Sequence, residues 1–211
     1  MRLVPAERAA LSDLFAHNGP AAPTVLPGWR AEELLGHLLV RERMPLAAAG
    51  ILVAPLARVA EVGMRSYTRL PWSRRVELLR SGPPPWSPYW APPVDERANL
   101  AEFFVHFEDL ARARENWRPR APNERRDEAL WSTLRLAARV LYRHVPVGVR
   151  LRHPTRARGG EITARRGRDP VTVVGPPGEL MLHAFGRERT QVELYGGEAD
   201  LAALEAAPRG I

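Results

Sequence analysis

The chain has 211 residues, a hydrophobic fraction of 45% and a formal net charge of +7, enough apolar material for one large domain or two small ones. It contains no cysteine, which excludes disulfides, Cys-ligated metals and a nucleophilic thiol of its own. All 31 basic side chains are arginine, scattered without a finger, RNP or basic-zipper pattern, so no nucleic-acid partner is expected; so diffuse a charge bears on solubility and suits an anionic small substrate equally well.

MRLVPAERAALSDLF is amphipathic and has no long apolar run, so no secretory leader is expected. Pro5 to His17 carries Leu11, Leu14 and Phe15 at helical spacing and stops at the breaker Asn18-Gly19-Pro20. After a turn-rich stretch ending in Pro27-Gly28-Trp29, residues Ala31 to Arg43 predict a second helix with Leu34, Leu35, Leu38 and Leu39 inward. The longest apolar stretch, Leu46 to Val62, contains Pro55 and Arg58. It falls short of the ~20 apolar residues of a membrane span, so a cytoplasmic protein with no membrane partner is expected. A third helix is expected over Leu56 to Thr68 and a short one from Pro71-Trp72 through Leu79.

SGPPPWSPYWAPP, residues 81–93, holds six prolines, which predicts a stiff extended connection without helix. Its Trp86, Tyr89 and Trp90 could wall a pocket. The next helix is expected over Val94 to Glu115. Another runs from Glu124 to His144, with Leu130, Leu134, Ala137, Leu141 and Val145 on one stripe. Near Pro146 the pattern changes: VGVRLRHP, GEITARRG and PVTVVGP are short β-branched or alternating runs bounded by Gly and Pro. GELMLHAFGR (178–187) reads as a helix, QVELYGG as a strand and EADLAALEAA as a terminal helix. The expected fold class is α+β, a helical domain over 1–145 and a small α/β domain over 146–211.

LAEFFVHFEDLARA, residues 100–113, places Glu102 and His106 four positions apart on an otherwise apolar helix. Residues at that spacing have roughly 5–6 Å between Cβ atoms. Such a pair can reach one metal ion, or can simply form an i,i+4 contact worth a few tenths of a kcal/mol. A third ligand candidate is His37, which shares the side of its helix with Leu34 and Leu38. Two helices that each present ligands to the interior are a common way to build a metal site in a helical bundle. Two histidines and a carboxylate match open zinc sites and also the facial triad of non-haem iron. Of the other histidines, His17 and His144 stand at helix ends, His153 is expected to be exposed and His183 to be structural. No Walker or dinucleotide loop, G-x-S-x-G or H-E-x-x-H is present, which argues against nucleotide, serine-hydrolase and zincin chemistry.

GWRAEELLGHLLVRER, with its Gly-Trp eight residues ahead of an inward His, resembles the second helix of the DinB-like fold, in particular of the actinobacterial mycothiol-dependent maleylpyruvate isomerase family. EFFVHFEDLARA is similar to that family's E-x-x-x-H metal helix, and PVTVVGPPGELMLHAFGR resembles its C-terminal V-x-G…GR stretch. The likeness is nearest to a branch of metal-binding proteins with no assigned substrate. It implies a DinB-like four-helix bundle followed by a small SCP2-like domain. It further implies that His37, Glu102 and His106 ligate a divalent metal, zinc ahead of nickel or iron. Arg187 would then stand where the isomerase meets an acidic substrate. The resemblance also implies mycothiol as thiol cosubstrate for an isomerase or S-transferase acting on a small electrophilic molecule, in a monomer or homodimer; the alternative is a metal-binding protein without thiol chemistry, either a metal-water hydrolase or a noncatalytic binder. One departure is visible. Phe107 replaces a histidine that related sequences often carry, which leaves the orientation of His106 to other groups such as Asp109.

Overall fold

In the computed structural model, which describes residues 2–44, 57–156 and 158–210, helix α1 (Val4–Asn18) begins with Pro5 in its first turn. The missing N–H of proline is no loss there. The free amides of Leu3 and Val4 donate to the Glu96 carboxylate, each at 3.2 Å. The helix ends at Gly19, whose φ of 78° turns the chain. Helix α2 spans Ala31–Arg43, and Glu33 reaches back to accept from the Arg30 amide at 2.8 Å. Helices α3 (Ala57–Tyr67) and α4 (Trp72–Arg80) follow. The larger part of the apolar stretch from Leu46, and the expected helix start at Leu56, lie outside the described residues.

The proline-rich connection is not free of helix. A 3₁₀ turn forms at Pro88–Trp90, and helix α5 (Pro92–Ala111) takes Pro92 and Pro93 into its first turn, the one part of a helix that tolerates proline. Helix α1 packs on α4 and α5, and α2 packs on α3 and α4. Gly36 of α2 faces Met64 of α3 where the two helices pack. The core of this region consists of Leu11 and Phe15 of α1, Leu34, Leu35, Leu38 and Leu39 of α2, and Leu100, Phe103, Phe104 and Leu110 of α5.

Helix α6 (Glu124–Leu141) is capped by Asn123, whose side chain accepts from the Arg126 amide. Strands β1 (Val149–Arg152), β2 (Glu161–Arg165) and β3 (Val171–Val174), helix α7 (Pro177–Ala184), strand β4 (Glu193–Tyr195) and helix α8 (Glu198–Ala206) complete the chain. The sheet has the order β2-β1-β3-β4, antiparallel at both outer pairings and parallel between β1 and β3. Val149 and Leu151 point inward while Arg150 and Arg152 face solvent, the alternation expected of a sheet with one wet face.

The protein is thus mixed α+β, and it divides into two compact units, Met1–Arg118 and Pro119–Ile211. The sequence pattern put this division at 145/146, where helical periodicity ends. It falls earlier because α6 packs on α7 and β2, with Leu130, Trp131, Leu134, Ala138 and Leu141 buried. Among the described residues, no helix is long and apolar enough to cross a membrane.

Candidate metal centre

Helices α2 and α5 bring His37, Glu102 and His106 together, with one donor atom from each within 4.8 Å of the others. Glu102 Oε2 lies 3.3 Å from His106 Nε2 and 3.9 Å from His37 Nε2. Donors about 2.1 Å from a tetrahedral cation stand roughly 3.4 Å apart, so the set fits a divalent ion with little movement. A bare i,i+4 pair would account for Glu102 and His106 but not for the imidazole that α2 contributes. The side chains of His37, Glu102 and His106 are 12%, 19% and 9% exposed, so one side of the cluster stays reachable from solvent.

The surroundings set the protonation of each donor. Burial pushes the His37 imidazole below its usual range and outweighs the opposing contact with Glu102, which favours the neutral form that can ligate. Burial works against the Glu102 carboxylate, yet the contacts with His106 and His37 and the charge of Arg41 hold it well below the usual range. Burial also lowers His106, but the bonds to Asp109 and Glu102 win and raise it. Asp109 Oδ2 sits 2.8 Å from His106 Nδ1, so Nδ1 is engaged and Nε2 faces Glu102.

Further residues support the centre. Arg41 Nε approaches Glu102 Oε2 at 3.9 Å, while the rest of its guanidinium donates to Asn99 Oδ1 and, at 2.9 Å, to the Ala98 carbonyl. Tyr89 stacks on that guanidinium at 4.7 Å; Trp86 and Trp90 are largely exposed. The Trp29 ring packs 5.5 Å from that of His37. Nothing in the local sequence singled out Arg41. Its position one turn after His37 was the available signal, since residues at i and i+4 share a helix face.

Arg187 belongs to the second unit, just past the end of α7, where it is half-buried and donates to the Phe185 carbonyl at 2.8 Å. His183, in α7, is buried and meets the Tyr142 hydroxyl at 2.7 Å. Comparison with protein families, with characterised proteins and with solved structures finds no match to this chain.

Proposed function

We propose that the protein is a metal-dependent enzyme that uses an external low-molecular-weight thiol, mycothiol, to isomerise or thiolate a small electrophilic acid, and that its first unit is a DinB-like four-helix bundle. The observation that carries the reading is the convergence of two imidazoles and a carboxylate from two helices within 4.8 Å. His37, Glu102 and His106 would hold the cation, zinc ahead of nickel or iron for this nitrogen and oxygen donor set. When bound, a cation of this kind lowers the pKa of a thiol, which is near 8.5 when free, and makes it nucleophilic at neutral pH.

The chain's own side chains do the remaining work. Asp109 fixes the ring of His106 so that Nε2 points at the centre. Glu102 is held well below the usual carboxylate range by its neighbours His106, His37 and Arg41, and it contributes the negative charge that two neutral histidines lack. Arg187, by the resemblance, would pair with the carboxylate of the substrate. With no cysteine in the chain, the sulfur has to come from a cosubstrate. Its addition to an unsaturated carbon forms one C–S bond as the C=C π bond breaks and its electron pair moves onto the adjoining electron-withdrawing group. Rotation about the resulting single bond and expulsion of the thiolate restore the double bond as an isomer, whereas transfer of the thiol's proton to the neighbouring carbon leaves a thioether. The partners on this reading are small molecules.

Elemental analysis of protein purified without a histidine tag tests the centre. About one divalent cation per chain is expected in wild type, with loss in His106→Ala, because a two-ligand remnant binds far more weakly. Full occupancy in that variant would overturn the reading. Titration of a mycothiol analogue into the loaded protein tests the chemistry: saturable binding supports the thiol step, and no binding leaves a metal protein without it.

A further inference from the structure

The loop between α1 and α2 is not used by the proposed chemistry, yet it borders an open depression of about 520 Å³ and touches the supports of both imidazoles. The loop is stapled shut. Pro23 and Arg30 form an antiparallel bridge, and the Ala31 amide donates to the Ala22 carbonyl at 2.9 Å. Inside it, the Thr24 hydroxyl donates to the Trp29 carbonyl at 2.7 Å and accepts from the Leu26 amide at 3.1 Å. The side chains of Pro23, Val25, Leu26, Pro27 and Trp29 line the depression with backbone polar atoms exposed between them, and exposed Arg30 stands at the rim. Among the described residues that line the depression there is no carboxylate.

A depression of this size suits a one- or two-ring molecule. Its wall offers the Trp29 indole and proline and aliphatic side chains beside exposed backbone polar groups, and the one charged group among its lining residues is the Arg30 guanidinium, with Glu33 bonded to the Arg30 amide. We propose that it binds a small aromatic anion, with the ring against Trp29 and the prolines and a carboxylate or sulfonate at Arg30. The occupant would lie beside the metal centre. Trp29 packs on His37 at 5.5 Å, and the Val25 amide donates at 3.0 Å to the carbonyl of Asp109, the residue whose side chain holds His106. Binding requires only the loop, so the inference does not depend on which cation the centre takes.

The test is an NMR titration of benzoate into the full ¹⁵N-labelled chain without added metal, with benzyl alcohol as the uncharged counterpart. Saturable shifts are expected at the Gly28 amide and the Trp29 indole N–H. In Arg30→Gln, an exposed position where the fold should persist, benzoate is expected to bind about tenfold more weakly through loss of a charge-assisted contact, while benzyl alcohol binds as before. Shifts centred outside residues 21–30, or an equal loss for both probes, would overturn the proposal. A parallel zinc titration keeps the two readings apart: if wild type takes up no zinc, the centre has failed, and the benzoate result still decides the loop.

Discussion

His106 shows how a buried imidazole acquires a direction. Its Nδ1 is held by Asp109 at 2.8 Å and its Nε2 faces Glu102 at 3.3 Å, so one nitrogen is an anchor and the other a donor atom. Removing the anchor's charge in Asp109→Asn is expected to weaken metal binding by about 10–100-fold, measured by competition with a chromophoric chelator; unchanged affinity would show that the charge of Asp109 is not needed to orient the ring. The contacts that raise His106 favour its protonated form in the metal-free protein. A metal must displace that proton, so affinity is expected to climb as the pH rises, as zinc uptake measured at stepped pH would show.

His183 titrates in the opposite sense. Burial, helped by the Arg209 charge, pushes it down to about 3. The unfolded chain takes up this proton near pH 6.5 and the folded chain does not. The stability is therefore complete above the unfolded value and is lost as the pH falls toward 3, by up to roughly 1.4 kcal/mol per pH unit. Urea denaturation at neutral and acid pH is expected to show this slope, and His183→Gln to flatten it.

At the scale of elements, a buried ionic network spaces the helices behind the centre. Arg8 of α1 pairs with Glu42 of α2 at 2.6 Å and with Asp95 of α5 at 3.2 Å. Asn99 of α5 donates to Asp95 at 2.6 Å and to Glu42 at 3.3 Å. Burial raises the Glu42 carboxyl despite Arg8 beside it, so loss of the arginine leaves a poorly compensated acid. Arg8→Ala is expected to destabilise the protein by about 3–5 kcal/mol in urea denaturation; a change within a few tenths would mean the network contributes little. Some elements were legible in the sequence for local reasons. Helix α2 runs over Ala31–Arg43, as its leucine stripe and turn-rich approach predict. Helix α6 was legible as a helix, but its periodicity names a buried stripe and not the surface that covers it. Ala138 is buried where the stripe pointed to Ala137, and the helix belongs with the sheet. The pattern places the start of α5 at Val94 and the structure at Pro92, because proline breaks a helix everywhere except in its first turn.

At the scale of the molecule, all three proposed ligands lie in Met1–Arg118. A ligand that binds only the native state stabilises what it touches, by about 2.7 kcal/mol at a hundredfold excess over its dissociation constant. Zinc is therefore expected to slow hydrogen exchange in α2 and α5 and to leave β1 and β3 unchanged; equal protection across the chain would speak against a centre confined to the first unit.

The chain's composition and periodicity determined that it is α+β, that it supplies no thiol of its own, and that Glu102 and His106 share a helix face, since each of these follows from residue type and the 3.6-residue turn. Only the tertiary structure decided that His37 meets them, that Arg41 and Trp29 flank the cluster, and that α6 joins the sheet. Such contacts join residues far apart in the chain, and their geometry is set by how whole helices pack, which no local pattern encodes.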